Sequence, residues 1–212
     1  MPPTRILVAL DIEKAGCLLK GHPVISIGFV VGNDEGVIYE RVKVNFRVRW
    51  PQDFEERCYK EFWAKNPEAV KMCQVDPEPL EYKQAWQKVG EFVDSLEKRF
   101  PFPDFKVTFL SDNPSFDIAN VDLGLEEYCQ RMPLRYERVS GRYRSVQDPT
   151  EQLRLFSDEE QKAIREAAKA KSPHNHCALS DAGNIYWLYV ITRTCKPALV
   201  MSHISNGEPK AK

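Results

Sequence analysis

The order of the predicted strands and helices indicates an α/β fold with a mixed central sheet flanked by helices. Three observations favour this fold. Three β-rich runs open the chain, a long helix with a regular apolar stripe follows, and another buried strand comes after that helix. With 212 residues, the chain fits one domain with a sizeable core better than two small ones.

The first three strands are predicted to form an antiparallel meander. Residues 5–10 are a mostly apolar run, suited to a strand that is buried on both faces. Residues 24–31 and 37–46 are separated by the turn-forming residues 32–36, which predicts a hairpin.

Helices dominate the rest of the chain. Residues 53–73 are rich in helix formers, and Pro67 stands where a second helix can begin. The clearest helix covers residues 80–100, where apolar residues recur at helical spacing. Predicted after it are a short strand at 106–110, a helix at 115–131, an irregular or extended segment at 134–146, and helices at 157–171 and 177–192.

Charge and composition restrict the function. The 30 basic residues nearly balance the 31 acidic ones, so a polyanion must be held locally and a DNA-coating protein is disfavoured. No segment is apolar for long enough to be a signal peptide or a membrane span, and the six cysteines include no C-x-x-C pair. We therefore expect a cytoplasmic protein with reduced thiols, a single domain over residues 1–205 and a polar tail at 206–212.

Asp11 and Glu13 are the first acidic pair of interest. They lie two positions apart where the first strand emerges, so both carboxylates project from the same face. Two carboxylates this close repel each other unless a cation or protons intervene. The alternative is an ordinary polar strand end that leads into a turn.

Asp117 is the next candidate, because it follows the strand at 106–110 and opens a helix. The helix dipole alone also favours an acid there. Asp112 and Asp122 lie nearby, so electrostatics does not single out Asp117.

His176 and Asp181 form the third candidate group. His176 lies just before the last predicted helix and Asp181 about one turn inside it, so both can reach a shared cleft. By itself, His176 also fits a capping or surface histidine. His174, His176 and Cys177 together suggest zinc, but no second donor pair is spaced to complete such a site, so zinc is not favoured.

Together and in this order, the three groups resemble a known family. Asp11 and Glu13, Asp117 in an N-x-x-F-D turn, and the H-x-A-x-x-D-A segment at 176–182 are similar to the three motifs of the DEDDh exonucleases. This DnaQ-like group belongs to the RNase H-like superfamily, and the resemblance covers about residues 5–192. It implies an RNase H-like exonuclease fold and 3′→5′ removal of nucleoside 5′-monophosphates from single-stranded RNA or DNA.

A narrower resemblance concerns residues 61–69, which look like the W-W-x-x-x-x-P-E-A segment of a phage and bacterial exoribonuclease subgroup. The first motif departs from the common D-x-E-T-T-G, because it reads D-I-E-K-A-G at residues 11–16. It loses two hydroxyl groups that often lie near the terminal nucleotide. Gly16 keeps the turn, and Lys14 can add a phosphate contact.

Phosphodiester hydrolysis explains why carboxylates are needed. Two divalent cations about 4 Å apart activate the attacking water and stabilise the leaving oxygen, and Mg²⁺ or Mn²⁺ prefers oxygen ligands. Our hypothesis is that four carboxylates hold two such ions, with Asp11 as the bridge: Asp11, Glu13, Asp117 and Asp181. The resemblance implies that His176 is the general base. General-base catalysis typically raises the reaction rate by about 10²- to 10⁴-fold.

Substrate contacts are less strongly marked. The resemblance implies that the backbone near Ile12 and Gly16 meets the terminal nucleotide. Asn113 is also assigned to substrate binding. Phe62 or Trp63 can stack on a base. The alternative is that both rings are core residues on a helix, and for Phe62 we slightly favour it.

A small basic and aromatic cluster can grip phosphates, although a solvated loop explains it equally well: Arg138, Arg142, Tyr143 and Arg144. Two rival functions are an RNase H-like endonuclease, which the histidine of the third motif disfavours, and a catalytically idle nucleic-acid-binding module. Related enzymes are often dimers, so the resemblance also allows a homodimer. A membrane partner is not expected.

Overall fold

Five strands form one sheet in the residues that this computed structural model describes, 4–131, 133–134 and 144–195. They are β1 (Thr4–Lys14), β2 (Val24–Asn33), β3 (Ile38–Asn45), β4 (Phe105–Leu110) and β5 (Ser145–Gln147). Their order across the sheet is β3-β2-β1-β4-β5. β1, β2 and β3 pair antiparallel, whereas β4 is parallel to both β1 and β5. The predicted mixed sheet with an antiparallel N-terminal meander is confirmed.

The same described residues form seven α-helices and a 3₁₀ turn at Trp63–Lys65. The helices are α1 (Glu56–Glu61), α2 (Pro67–Gln74), α3 (Tyr82–Arg99), α4 (Asp117–Cys129), α5 (Pro149–Leu153), α6 (Asp158–Lys171) and α7 (Ala178–Thr194). Within this part of the chain, no helix combines the length and apolar character needed to cross a bilayer. The single-domain prediction remains untested.

Helix α3 covers one face of the sheet together with α4. It buries the apolar stripe that the sequence predicts, and this stripe packs on Val8 and Leu10 of β1. Fully burying one large apolar side chain contributes about 1.5–3 kcal/mol. Packing of this stripe, more than intrinsic helix propensity, therefore holds α3 in place.

Helix α7 covers the opposite face and is itself covered on its outer side. Tyr186 packs with Leu7 and Ala9 of β1, whereas Leu188 packs against Ile164 of α6. A helix enclosed in this way is apolar around most of its circumference. That environment explains the long hydrophobic sequence of α7.

The first turn of α7 lies directly against the backbone of Gly28 in β2. A Cβ atom at position 28 would lie 2.2 Å from the carbonyl oxygen of Ala178 and 2.3 Å from the amide nitrogen of Leu179. Gly28 is also the cross-strand partner of Asp11. The missing side chain therefore lets the start of α7 approach the acidic part of β1.

Strand β1 is longer than the sequence predicts. The expected strand ends near Leu10, but pairing with β2 continues through Asp11 and Glu13 to Lys14. Pairing with β4, by contrast, stops at Ala9. The two acids therefore lie inside a strand that has a neighbour on one side only, and not in a turn.

The five-residue helix α5 is absent from the predicted elements. It begins with Pro149 at its first position, and the Asp148 side chain caps it by accepting a 2.7 Å hydrogen bond from the Thr150 amide. A helix of this length carries too few apolar positions to show a period.

We predict that Gly28→Ala lowers the free energy of unfolding by about 1–3 kcal/mol, because the added methyl group overlaps the backbone of α7. Gly21→Ala is the control, since a Cβ atom there meets only the flexible Leu18 side chain, at 3.0 Å. It should change stability by less than about 0.5 kcal/mol. Urea unfolding of both variants measures the difference, and equal stabilities would contradict the packing described here.

Candidate metal centre and catalytic site

Asp11 and Glu13 project from β1 on the face that α7 covers. They follow Leu7 and Ala9 in the alternation of the strand, and both of those residues pack with α7. Asp11 is partly buried, and 9% of Glu13 is exposed. Both carboxylates therefore lie between the sheet and the start of α7.

Asp117 reaches the same place from the loop that follows β4. It is the first residue of α4, and only 3% of it is exposed. The Ser111 hydroxyl donates a 2.6 Å hydrogen bond to Asp117 Oδ2, and the Asp117 amide donates to the carbonyl oxygen of Asn113 at 2.9 Å. These contacts fix both the carboxylate and the start of the helix.

Asp181 is held by the main chain just before α7. The amides of Asn175 and His176 donate to its two carboxylate oxygens at 2.9 and 3.0 Å. His176 has a φ of 60°, in the left-handed region that non-glycine residues seldom adopt. The bond from its amide to Asp181 stabilises this conformation and brings the imidazole beside the carboxylate.

The carboxylates converge in two overlapping groups. Asp11, Glu13 and Asp181 form one group, and Asp11, Asp112 and Asp117 form the other. Within each group the ligand atoms lie within 4.8 Å of one another. Asp11 belongs to both, which places it at the centre of the cluster. The structure thus brings together the four acids chosen from sequence and adds the exposed Asp112.

Burial and mutual repulsion make the ionised cluster costly. Burial, followed by the charge of Glu13, raises the pKa of Asp11 well above its usual range. Burial, followed by the charge of Asp181, raises the pKa of Glu13 to about 8. Burial also raises the pKa of Asp117 to about 7. Asp11 Oδ2 is buried without a hydrogen-bond partner among the described residues, as expected for an atom that ligates a cation.

A third group of possible ligands consists of His174, His176 and Asp181, whose ligand atoms also lie within 4.8 Å of one another. His174 Nδ1 is 3.4 Å from Asp181 Oδ1. The sequence pattern grouped His176 with Asp181, but it did not predict that His174 would join this pair.

The two neighbouring aromatic residues have opposite environments. The Phe62 ring is half-buried and packs edge-on against His176, with the ring centroids 4.6 Å apart. Only 2% of Trp63 is exposed, and its indole N–H donates to the carbonyl oxygen of Lys14 at 3.3 Å. Trp63 therefore has no free face for a base in this structure. Phe62 also packs partly against the core cluster around Trp63, so its stacking role stays a prediction.

Ile12 and Gly16 are both buried. Ile12 packs in the core between the sheet, α3 and α4, opposite the face that carries the acids. A Cβ atom at Gly16 would lie 2.4 Å from His22 Nδ1 and 2.8 Å from Glu55 Cβ, so close packing explains this glycine without any ligand. The nucleotide contacts assigned to both residues stay predictions.

Asn113 is exposed at the turn before α4 and accepts a 3.0 Å hydrogen bond from the Ser115 hydroxyl. Its assignment to the substrate also stays a prediction. The Lys14 ammonium group donates to the carbonyl oxygens of Leu18 and Leu19 at 2.5 and 2.8 Å, and its phosphate contact likewise stays a prediction. Lys14 fastens the loop after β1.

Of the predicted basic and aromatic cluster, the structure describes only Arg144. Arg138, Arg142 and Tyr143 lie outside the described residues. Arg144 is 5% exposed and donates to Glu97 Oε1 at 2.7 Å, so it belongs to an internal ion pair. It is not a phosphate contact in this structure.

A cavity of about 800 Å³ lies between α3, α4 and the loop that follows β1. Asn120, one turn after Asp117, lines it together with the aromatic residues Tyr82, Trp86 and Tyr128. The Trp86 and Tyr128 rings are nearly parallel, with an interplanar angle of 5°. None of the clustered acids lines this cavity, and only 1% of Trp86 is exposed.

Comparisons with known proteins show the fold. No family model and no curated protein matches the chain. Among solved structures, a 3′-exonuclease that recognises the 3′ end of the histone mRNA stem-loop aligns with a TM-score of 0.53 and 14% identity, over 91% of this chain and 82% of its own. Pop2p of S. pombe, bound to Mg²⁺ and Mn²⁺, aligns with a TM-score of 0.56 and 15% identity, over 89% and 82%.

Exonuclease I of E. coli in complex with a dT13 oligonucleotide aligns with a TM-score of 0.56 and 11% identity, over 97% of this chain but 44% of its own. At these identities the likeness concerns the fold alone. The chain therefore has the mixed α/β fold of these solved structures, and the acidic cluster lies at the carboxyl end of β1, the middle strand of its sheet.

We predict that, without metal ions, the protein loses stability as the pH rises from about 4.5 to about 8. In the folded protein Glu13 keeps its proton up to a pKa of about 8, whereas its ordinary pKa is 4.5. The folded state then binds more protons than the unfolded state, so the free energy of unfolding falls with increasing pH. Urea unfolding in EDTA measures the slope, which Glu13→Gln should reduce. Stability that rises over this interval, or an unchanged slope in the variant, would contradict the prediction.

Proposed function

We propose that this chain is a metal-dependent 3′→5′ exonuclease of the DEDDh type. It hydrolyses the phosphodiester bond at the 3′ end of single-stranded RNA or DNA and releases nucleoside 5′-monophosphates. The observation that carries this proposal is the position of Asp11, which belongs to two carboxylate groups at once. His176 completes the arrangement, because the Asp181 carboxylate holds its main chain.

The donors fit hard divalent cations. Both groups around Asp11 offer only carboxylate oxygens, which suit Mg²⁺ or Mn²⁺ better than softer metals. The proposed ligands of two such ions are Asp11, Glu13, Asp117 and Asp181, with Asp112 as an additional candidate. Bound there, the ions would lower the pKa of the attacking water and stabilise charge on the leaving 3′ oxygen.

The surrounding groups position these ligands. Ser111 orients Asp117, and the amides of Asn175 and His176 orient Asp181. Hydrogen-bonded carboxylates of this kind hold their direction toward a bound ion. The cluster is therefore prearranged by the fold.

His176 is the proposed general base that takes the proton from the attacking water. Imidazole is the side chain that most often serves as a general base. The edge-on contact with Phe62 restricts rotation of the imidazole, and the bond to Asp181 fixes its backbone. A base positioned in this way typically contributes about 10²- to 10⁴-fold to the rate.

Single-stranded nucleic acid is the proposed substrate. The half-buried Phe62 ring beside His176 is the proposed stacking surface for the terminal base. Among the structural relatives, one is a 3′-exonuclease that recognises the histone mRNA stem-loop, and exonuclease I was solved with a dT13 oligonucleotide. The segment 61–69 favours the exoribonuclease subgroup. A homodimer and a cytoplasmic location remain expectations from sequence.

The idle binding module is the second candidate. The convergence of four acids and a histidine disfavours it, because a protein that only binds nucleic acid has no need to bury repelling carboxylates. An endonuclease needs the same ions but cuts internally.

We predict that Asp117→Asn reduces turnover by at least about 10²-fold, because it removes charge from the group around Asp11. Asp104→Asn is the control, since Asp104 is exposed in the loop before β4. Rates are measured with Mn²⁺ and with Mg²⁺ on 3′-labelled and 5′-labelled RNA and DNA oligomers.

Wild-type protein should release labelled mononucleotides from the 3′ label and a shortening ladder from the 5′ label. Internal fragments from both labels would identify the endonuclease. No turnover with either ion, together with retained binding, would identify the idle module. Native turnover by Asp117→Asn would remove that residue from the site.

We predict that Phe62→Ala and Trp63→Ala separate substrate binding from folding. Phe62→Ala should raise KM by an amount equivalent to about 1–3 kcal/mol, the value of one stacked base. Trp63→Ala should instead lower the free energy of unfolding by about 3–5 kcal/mol, because its ring is buried. Steady-state kinetics and urea unfolding of both variants provide the measurement. An unchanged KM in Phe62→Ala would exclude the stacking role.

A further inference from the structure

We propose that His174, His176 and Asp181 form a zinc site that inhibits the enzyme. Zinc bound there would occupy the proposed general base and one proposed ligand of the catalytic ions. The inhibitory effect rests on the proposed exonuclease function, whereas zinc binding itself does not.

The spacing of the three side chains fits tetrahedral zinc. Their ligand atoms lie within 4.8 Å of one another, and His174 Nδ1 is 3.4 Å from Asp181 Oδ1. Two ligands bonded to one tetrahedral zinc ion at 2.0–2.1 Å lie about 3.3 Å apart. One pair in the group therefore already has the required separation, and small changes of side-chain rotamer bring in the third ligand.

The donor set also matches zinc. Two imidazoles and one carboxylate are typical protein ligands of zinc sites that keep a fourth position for water. The groups around Asp11 contain carboxylates only, so nitrogen donors distinguish this group from them. A metal that prefers imidazole selects the histidine group, whereas Mg²⁺ selects the carboxylates.

Asp181 is already oriented for such a role. Its two oxygens accept hydrogen bonds from the amides of Asn175 and His176. Metal-ligating carboxylates are commonly fixed by partners of this kind. The His174 side chain is 47% exposed, so an ion can reach the group from solvent.

His174 has no part in the proposed hydrolysis. A simple ion pair with Asp181 is the plain alternative, since an exposed histidine near a buried carboxylate pairs with it when protonated. The ion pair predicts no zinc affinity that depends on His174. The zinc site predicts that a neutral replacement removes one of three ligands.

Sharing of residues makes the two arrangements mutually exclusive. Asp181 belongs both to the histidine group and to the carboxylate group with Asp11 and Glu13. Once zinc holds Asp181 and His176, neither is free for hydrolysis. Zinc should therefore inhibit at saturating Mg²⁺, and this inhibition should depend on His174.

The binding experiment titrates the full chain with Zn²⁺ alone, by competition with a chromophoric zinc indicator. His174→Gln is the test variant and His22→Gln the control, and both keep all six cysteines, which are free thiols. His174→Gln should weaken binding by more than about tenfold, the loss caused by removing even an outer partner of a metal ligand. His22→Gln should bind as wild type does. Co²⁺ in place of zinc should give the visible absorption of a tetrahedral site, and His174→Gln should weaken it.

The activity experiment measures zinc inhibition at saturating Mg²⁺, with each rate divided by the zinc-free rate of the same protein. His174→Gln should need more than about tenfold more zinc for half inhibition than wild type. Equal zinc binding by His174→Gln and wild type overturns the site, whatever the activity. His174-dependent binding without inhibition overturns the competition. His174-dependent binding by a chain that has no exonuclease activity supports the site while the proposed function fails.

Discussion

The close approach of α7 to Gly28 is the constraint on which the candidate site depends. Asp181 and the histidines before it are carried by the start of α7, whereas Asp11 and Glu13 are fixed in β1, opposite Gly28 and its neighbours in β2. A side chain at position 28 would push these two parts of the site away from each other. The apolar packing of α7 against β1 and α6 stabilises this close contact.

The same contact concentrates negative charge in a place with little water. Four carboxylates share a partly buried volume, where burial raises the pKa of Asp11, Glu13 and Asp117 and the charge of at least one nearby carboxylate raises each pKa further. The hydrogen bonds from Ser111 and from the main chain before α7 offset only part of this repulsion. Proteins retain such strain where charge is needed for function. The stabilising partner that fits the cluster is a divalent cation.

Sequence patterns predicted the fold because they report local periodicity and residue order. The meander and the apolar stripe of α3 follow from such patterns, whereas the four acids were chosen by their resemblance to the motifs of a known family. Such patterns do not report how deeply a side chain is buried or which distant residues it contacts. Phe62 and Trp63 are neighbours in helix-forming sequence, yet one faces His176 and the other lies in the core. Asp112 and His174 join the site only through the tertiary approach of separate segments, which no local spacing reveals.

The buried indole of Trp63 has a consequence for the position of the neighbouring Phe62. Its N–H donates to the carbonyl oxygen of Lys14, and the Glu55 amide donates to the carbonyl oxygen of Ala15. These hydrogen bonds attach the segment that carries Phe62 to the end of β1. The segment that carries Phe62 and strand β1 are thus connected directly. These two hydrogen bonds therefore help to fix the position of the Phe62 ring relative to the acids.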